Sequence, residues 1–257
     1  MELDHSQQPK KIRARGIYLL PNLLTTAALF SGFYSIVAAM KGYYDVAAMA
    51  VFVAMIADGL DGRVARMTNT QTAFGAEYDS LADMVAFALA PALIIYSWSL
   101  SSLGKFGWMV AFVYTAATAL RLARFNTQSH DEDKNYFQGL PCTMAAPVVA
   151  GMVWLGGFYN VTGIIVAIPA AIITLILAVL MVSHVRYYSF KKIDFKGKVP
   201  FMAIVVFVLV LAAIAVMPPQ MLFGIFLVYA FSGPVGTLIQ LRKMRKRHRM
   251  SNKNTKV

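Results

Sequence analysis

The chain repeats apolar stretches of about 20 residues, each long enough to cross ~30 Å of hydrocarbon as a helix. This pattern constrains the fold more than any other feature of the sequence. We predict eight membrane spans, over residues 18–40, 44–66, 73–97, 106–126, 141–157, 161–182, 199–216 and 220–241. The expected fold class is therefore all-α, a polytopic integral membrane helical bundle.

The composition argues against a separate soluble domain. Hydrophobic residues make up 58% of the 257 residues and charged residues only 14%, with a mean hydropathy of +0.60, far from the average soluble domain. We expect one membrane-embedded domain over 1–257, with a cytoplasmic or interfacial arm at 1–17, the bundle at 18–241 and a basic cytoplasmic tail at 242–257. Residues 12–20 are predicted to form an amphipathic helix along the membrane interface.

The lysines and arginines orient the bundle. The formal net charge is +12, but the basic residues lie at the chain ends and in connections between spans, which favours membrane orientation over nucleic-acid binding. With the N-terminus inside, only Lys41 and Lys105 of the 24 basic residues fall on the far side. We therefore expect a location in the cytoplasmic (inner) membrane, with both termini on the cytoplasmic side. The tail suits the anionic inner leaflet, although a solvated tail that only determines topology fits equally well.

Cysteine and histidine are too sparse for a disulfide or a zinc site. Cys142 is the single cysteine, which excludes an internal disulfide. The four histidines are scattered over predicted loops and tails, and no pair has metal-ligand spacing. A metal site in this chain would therefore need oxygen ligands.

Five of the twelve acidic residues fall within a 26-residue window that is otherwise apolar: Asp58, Asp61, Glu77, Asp79 and Asp83. A carboxylate inside a membrane is costly unless it is paired or faces a hydrated cavity, so the cluster indicates a functional site. Glu77 is two residues from Asp79 and points to another helix face, so we leave it out of the site.

The other four carboxylates lie on two helix faces. Asp58 and Asp61 are three residues apart near the cytoplasmic end of the second span. Gly75, Asp79 and Asp83 follow one another at intervals of four near the start of the third. Because the connection between the spans is short, we predict antiparallel neighbours whose two faces meet.

Four carboxylates that close cannot all be ionised unless cations hold them. Oxygen ligands without histidine or cysteine favour Mg²⁺, Mn²⁺ or Ca²⁺ over zinc, and four carboxylates suit two ions. Gly62 and Ala65 leave the helix backbone accessible to a bulky ligand, and Arg66 provides a donor fork suited to phosphate. Together these features indicate a metal-bound diphosphate. A cation transporter that uses the Asp cluster is the alternative from another function class.

These residues match a known pattern. The segment from Asp58 to Asp83 resembles the signature of the CDP-alcohol phosphotransferase family, D-x2-D-G-x2-A-R-x8-G-x3-D-x3-D, at all eight fixed positions. Pro21-Asn22-Leu-Leu-Thr25 is similar to the P-N-x-x-T element of the family's first helix. Residues 121–126 (RLARFN) and 137–141 (FQGLP) are similar to segments of the phosphatidylserine synthase branch of this family.

The resemblance implies a membrane enzyme that transfers the phosphatidyl group of CDP-diacylglycerol to an alcohol and releases CMP. For this branch the alcohol is L-serine. Four residues would hold the metal ions, and the last of them would also be the general base: Asp58, Asp61, Asp79 and Asp83. Seven residues would bind CDP and its diphosphate: Asn22, Thr25, Gly62, Ala65, Arg66, Thr72 and Gly75. A homodimer is implied by the resemblance alone.

The chemistry of the acceptor adds three residues. A serine hydroxyl is a poor nucleophile at neutral pH, so a carboxylate should accept its proton. Arg121 or Arg124 could bind the carboxylate of serine bidentately, with a further hydrogen bond from Asn126. Alternatively, these arginines mark topology or bind lipid headgroups. A separate alternative is the same chemistry with glycerol 3-phosphate or an inositol phosphate as the acceptor, in which case the two arginines would recognise its phosphate. No Ser–His or Cys–His pair is available for a covalent intermediate, which predicts direct displacement with inversion at phosphorus.

Overall fold

The computed structural model describes residues 19–127, 136–188 and 201–254. Within these ranges, eight long helices follow one another close to the eight predicted spans. They are α1 Leu19–Met40, α2 Tyr44–Thr68, α3 Ala73–Trp98, α4 Lys105–Thr127, α5 Cys142–Phe158, α6 Ala167–Val182, α7 Phe201–Val216 and α8 Pro218–Asn254. The all-α fold class is confirmed. The predicted interfacial helix lies outside the described residues, except for its last two, which begin α1.

The apolar helices have the lengths of a polytopic membrane protein. Among the described residues, four helices are long and apolar enough to cross a membrane: α1, α3, α4 and the Pro218–Leu238 part of α8. The helices α5 and α6 and most of α7 are shorter apolar segments. Large hydrophobic side chains such as Phe30, Phe112 and Phe207 are more than half exposed, as expected for surfaces that face lipid.

Two helix ends differ from the predicted boundaries by more than two residues. Helix α6 begins at Ala167 rather than near residue 161, because the chain turns at Asn160 with φ +52° and Gly163 packs against the backbone of Trp98. Helix α8 continues to Asn254, well beyond the predicted end at 241. Beyond that point the sequence is rich in lysine and arginine and contains no proline or glycine, so nothing in it stops the helix.

A tight connection makes α2 and α3 antiparallel neighbours, as predicted. Helix α2 is capped by Asn69, which adopts the left-handed conformation with φ +50° and donates its backbone N–H to carbonyls of the last turn. Helix α3 begins at Thr72, whose side chain accepts a hydrogen bond of 3.0 Å from the backbone N–H of Gly75. Both ends are therefore capped within a few residues, and the hairpin brings the two acidic faces together.

The bundle is assembled through small residues. Helix α1 packs along α2, α2 packs against α5, α5 against α8, and α4 against α6. A Cβ at Gly32 of α1 would lie 2.6 Å from the Cα of Ala86 in α3, so the glycine allows the two backbones to approach closely. The core is correspondingly rich in alanine.

Helix α3 changes its hydrogen-bonding pattern directly after the acidic face. Residues Met84–Leu89 form a π-helical segment, which separates the α-helical segments Ala73–Asp83 and Ala90–Trp98. The buried hydroxyl of Tyr114 on α4 donates to the carbonyl of Phe87 in this segment at 3.1 Å. Such π segments often occur near functional sites, and this one follows Asp83 immediately.

A two-stranded ribbon joins the ends of α4 and α6, a feature that the sequence analysis did not predict. Strand β1 (Tyr136–Gln138) pairs antiparallel with β2 (Arg186–Tyr188). Just beyond β1, the N–H of Gly139 donates to Val185 at 2.8 Å. Strands of three residues are too short for an alternating pattern to be recognised.

Candidate active site

Three carboxylates of the two acidic faces converge. Asp58 and Asp61 of α2 and Asp79 of α3 each offer one oxygen, and these oxygens lie within 4.8 Å of one another. Asp61 is buried, with 5% of its surface exposed, and the other two are half-buried. Asp83, one helical turn beyond Asp79, is also half-buried, and its carboxyl group lies beside that of Asp58.

This donor set fits a hard divalent cation. Within the described part of the chain, the converging group consists of carboxylates and includes no histidine or cysteine. Carboxylate oxygens are the preferred ligands of Mg²⁺, Mn²⁺ and Ca²⁺. Four acidic groups held this close repel one another in a medium of low dielectric constant, so the arrangement favours bound cations.

Thr25 of α1 supports the carboxylate cluster. Its hydroxyl donates to Oδ2 of Asp61 at 2.7 Å, and it also lies 3.1 Å from the carbonyl oxygen of Pro21. The sequence analysis assigned Thr25 to the nucleotide, whereas the structure gives it a contact with a predicted metal ligand. A hydrogen bond of this kind orients a ligand oxygen and limits its rotation.

Three of the residues assigned to CDP, Asn22, Thr72 and Gly75, lie close to one another. A Cβ at Gly75 would lie 3.1 Å from Oγ1 of Thr72 and 3.5 Å from Oδ1 of Asn22. These three residues therefore form one close group, built from α1 and the start of α3. A side chain at Gly75 would press against both polar neighbours, so glycine allows this close approach.

The surface of α2 is open at Gly62, next to Asp61. A Cβ at Gly62 would meet only Nη1 of Arg66, at 3.7 Å. Ala65 on the same face is half-buried, and Arg66 is exposed but interacts electrostatically with Asp61. A bulky anionic ligand could therefore approach the α2 backbone beside the carboxylates, with a guanidinium at the edge of the space.

The three residues predicted to bind serine have three separate partners. Arg121 donates from Nη1 to Sγ of Cys142 at 3.6 Å, while its buried Nε has no hydrogen-bond acceptor in the described part of the chain. Arg124 donates to the side chain of Gln138 in β1. Asn126 is exposed and donates to Oγ of Ser80 at 3.0 Å, which ties α4 to α3.

Of these three residues, Arg121 is the one whose partner is fully buried. That partner, Cys142, lies at the start of α5. A guanidinium whose Nε–H has no acceptor among the described residues can still donate side-on to a carboxylate. Arg124, by contrast, holds the β ribbon to the end of α4.

Several partners in the site were missed by the sequence analysis. Tyr78 makes a hydroxyl–hydroxyl hydrogen bond of 2.9 Å to Thr26 of α1. Ser80 and Gln138 receive the hydrogen bonds described above. Tyr78 and Ser80 are the sequence neighbours of Asp79, and this position could have indicated them. Gln138 lies inside the segment 137–141 that resembles the family. Glu77 is exposed and stays outside the metal site in our interpretation.

Comparison with known proteins identifies relatives. Residues 18–172 match the family model described as CDP-alcohol phosphatidyltransferase. A CDP-diacylglycerol–serine O-phosphatidyltransferase of Helicobacter pylori is 39% identical over 217 residues, which cover 83% of this chain and 90% of the relative. The protein of the same name from Mycobacterium leprae is 36% identical over 58% of this chain and 51% of the relative. An archaetidylserine synthase of Methanothermobacter thermautotrophicus is 35% identical over 65% of this chain and 69% of the relative.

Proposed function

The chain belongs to the CDP-alcohol phosphatidyltransferase family, and we propose that it transfers the phosphatidyl group of CDP-diacylglycerol to the hydroxyl of L-serine, with release of CMP. The observation that carries this proposal is the convergence of Asp58, Asp61 and Asp79 within 4.8 Å. This convergence occurs in a chain that is 39% identical to a serine phosphatidyltransferase over most of its length. The product is the lipid phosphatidylserine.

The family depends on divalent metal ions, and the carboxylates of this chain fit them. We propose two ions, Mg²⁺ or Mn²⁺ with Ca²⁺ as a further candidate, held by the four aspartates of the hairpin: Asp58, Asp61, Asp79 and Asp83. When bound, the ions would neutralise the diphosphate and stabilise the negative charge on departing CMP.

Asp83 is the proposed general base. It accepts the proton of the serine hydroxyl while the serine oxygen forms a bond to the lipid-bearing phosphorus. The bond between this phosphorus and the bridging oxygen of the diphosphate breaks, and CMP leaves with the electron pair. Its half-buried position at the end of the acidic face, beside Asp58, supports this role.

The proposed reaction is a direct displacement, because the sequence offers no Ser–His or Cys–His pair that could form a covalent intermediate. One in-line displacement inverts the configuration at phosphorus, whereas two successive displacements retain it. A CDP-diacylglycerol analogue with a chiral phosphorothioate distinguishes the two courses. Retention of configuration would overturn the direct mechanism.

The nucleotide and its diphosphate bind along α2 and the start of α3. The open backbone at Gly62, the small side chain of Ala65 and the guanidinium of Arg66 support this proposal. Gly75 with its neighbours Asn22 and Thr72 would form the other part of the CDP site. Thr25 would contribute indirectly, through its hydrogen bond to a metal ligand.

The serine carboxylate binds Arg121. Its buried Nε, which has no hydrogen-bond acceptor among the described residues, supports the assignment. Arg124 and Asn126 would act on the same part of the site by holding β1 and α3 in position.

The proposal also covers the membrane in which the enzyme lies and its orientation. The strong bias of lysine and arginine supports a cytoplasmic membrane with both termini and the active site on the cytoplasmic side. We propose that the chain acts as one catalytic domain, and the family resemblance supports a homodimer.

One assay tests the function. Purified protein is incubated with CDP-diacylglycerol and serine, glycerol 3-phosphate or inositol phosphate, with and without EDTA, and CMP is quantified. We expect release that is stimulated by serine alone and lost with the chelator. Release with a phosphorylated acceptor instead would overturn the choice of serine. Cation flux in liposomes without CMP release would indicate the transporter alternative.

A further inference from the structure

Helix α1 contacts both acidic helices through two consecutive threonines. Thr25 donates to Oδ2 of Asp61 on α2 at 2.7 Å. The next residue, Thr26, makes a hydroxyl–hydroxyl hydrogen bond of 2.9 Å to Tyr78 on α3. Because consecutive residues of a helix point about 100° apart, one turn of α1 can reach two different neighbours. Helix α1 is therefore tied to both helices that carry the carboxylate cluster.

The direction of the second hydrogen bond follows from the number of hydrogens. The hydroxyl of Thr26 has one hydrogen, which it donates to the carbonyl oxygen of Asn22 at 2.7 Å. The hydroxyl of Tyr78 is therefore the donor in the contact with Thr26, whose oxygen accepts. This chain of hydrogen bonds runs from α3 to the backbone of α1. Removal of the phenol hydroxyl alone should break the tie between these two helices.

Tyr78 is well placed to transmit this contact to a predicted metal ligand. It directly precedes Asp79, one of the three converging carboxylates. Its ring stacks on that of Phe74, one turn earlier in α3, with centroids 6.0 Å apart and an angle of 11° between the planes. On the other side of Asp79 in the sequence, Ser80 accepts a hydrogen bond of 3.0 Å from Asn126 of α4. Two other helices, α1 and α4, thus hold α3 at the position of Asp79.

The separation of α2 from α3 affects which ion the aspartates fit. Asp58 and Asp61 lie on one helix and Asp79 on the other, so a change in helix separation changes the distances between their oxygens. Mg²⁺ requires near-ideal octahedral geometry with oxygens at about 2.0–2.1 Å, whereas Ca²⁺ accepts about 2.3–2.6 Å and a variable geometry. A site whose ligands are held in place can favour the smaller ion, and a site that yields also accepts the larger one.

We propose that Thr26 and Tyr78 are positioning residues, which hold α3 at a fixed separation from α1 and α2 and so make the aspartate site prefer Mg²⁺ and Mn²⁺ over Ca²⁺. This inference rests on the proposed metal site and deepens it by naming the residues that determine its ion preference. Neither residue needs to touch an ion or a substrate. The pair acts through the placement of Asp79 relative to Asp61, which Thr25 holds from the same turn of α1.

The test measures ion binding rather than turnover. Mn²⁺ bound to the whole chain is followed by electron paramagnetic resonance, with Mg²⁺ or Ca²⁺ added as the competitor. Tyr78→Phe keeps the ring on Phe74 and loses only the hydroxyl. We expect the preference for Mg²⁺ over Ca²⁺ to fall by roughly 3- to 10-fold, less than the roughly 10- to 100-fold loss typical when a direct partner of a metal ligand is removed. Thr26→Val removes the accepting oxygen and should have the same effect, whereas Thr26→Ser should keep the wild-type preference.

Two comparisons isolate the hydrogen bond. The double variant, Thr26→Val with Tyr78→Phe, should show no larger change than either single variant, because both remove the same contact. Tyr34→Phe is the matched control, since Tyr34 stacks on Phe30 one turn earlier in α1 and its hydroxyl has no hydrogen-bond partner in the described part of the chain. This control should bind all three ions like wild type. The ratio of two affinities is insensitive to partial unfolding, because both ions report on the same folded fraction.

The outcomes separate this inference from the proposed function. An unchanged ratio of Mg²⁺ to Ca²⁺ affinity in both Tyr78→Phe and Thr26→Val overturns the positioning role while leaving the metal site intact, and so does an equal fall for both ions. Additive effects in the double variant overturn the shared hydrogen bond. A wild-type protein that binds Ca²⁺ more tightly than Mg²⁺ overturns the proposed ion preference. Absence of Mn²⁺ binding to the wild type overturns the proposed metal site, and with it the proposed function.

Discussion

The α2–α3 hairpin and the acceptor side of the site are built in different ways. The hairpin carries its four carboxylates within 26 residues of sequence, on two helices joined by a capped turn. The proposed acceptor side, defined here as Arg121, Cys142 and Gln138, takes one residue from each of three elements, α4, α5 and β1. The hairpin depends on local periodicity, and the acceptor side depends on how distant elements pack.

This difference predicts a division of labour. Changes in the hairpin should remove metal binding and therefore all transfer, whichever acceptor is offered. Changes on the acceptor side should leave metal and CDP-diacylglycerol binding intact and alter the use of serine. The following substitutions test the division, in order of decreasing expected effect.

The largest effect is expected for Asp61→Asn. The side chain is buried and its carboxylate converges with two others, so loss of its charge should reduce Mn²⁺ affinity and CMP release by on the order of 10³-fold. Electron paramagnetic resonance of added Mn²⁺ measures binding independently of activity. The exposed Glu77→Gln makes a comparable change in charge and should behave like wild type. Wild-type Mn²⁺ affinity in Asp61→Asn would contradict the metal assignment.

Next is Arg121→Ala. Removing the partner of a bound carboxylate should raise KM for serine by ~30-fold or more, with KM for CDP-diacylglycerol unchanged. Arg124→Ala is the paired variant, and its effect on KM for serine should be smaller because its guanidinium is engaged by Gln138. The serine assignment is wrong if neither variant changes KM for serine.

Thr25→Val removes a hydroxyl with little change in shape. Because that hydroxyl donates to Asp61 at 2.7 Å, Mn²⁺ affinity should fall by at least ~10-fold, while Thr25→Ser should restore most of it. Thr115→Val is the control, since that hydroxyl donates to a carbonyl of its own helix. An effect on KM for CDP-diacylglycerol without any change in Mn²⁺ affinity would return Thr25 to the nucleotide site.

Gly62→Ala tests whether the open space at Gly62 is occupied by the nucleotide. The added methyl group has room in the ligand-free protein, where its nearest neighbour is Nη1 of Arg66 at 3.7 Å, so thermal stability should not change. KM for CDP-diacylglycerol should rise by ~10-fold, because the methyl group occupies the space proposed for the nucleotide. Gly59→Ala has no atom within 4 Å of the new Cβ and should leave KM unchanged. A similar KM for both variants would argue against binding at Gly62.

The smallest effect is expected for Asn126→Ala. Its hydrogen bond to Ser80 is exposed and contributes about 1 kcal/mol at most, so kcat/KM for serine should fall by less than ~10-fold. Thr127→Ala, which loses hydrogen bonds only to its own helix, is the comparison in the same assay. A loss as large as that of Arg121→Ala would mean that Asn126 touches the substrate directly.

The sequence predicted the hairpin well because its information is local. Apolar length located eight helices, and the four-residue spacing of Asp79 and Asp83 located one acidic face. The same local reasoning could not find the π segment after Asp83 or the three-residue strands of the ribbon. Neither has a periodic pattern of its own, and both depend on neighbours, such as Tyr114 for the π segment.

The sequence by itself therefore determined the membrane helices, the convergence of Asp58, Asp61 and Asp79, and the family. Hydrophobicity and helical periodicity act over a few turns and leave a readable pattern. Only the tertiary structure decided that Thr25 donates to Asp61, that Arg124 binds Gln138 of β1 while the Nε of Arg121 has no acceptor among the described residues, and that Tyr229 of α8 packs on Tyr187 of β2. The direction of a side chain toward another element depends on how whole helices pack, and no local pattern records it.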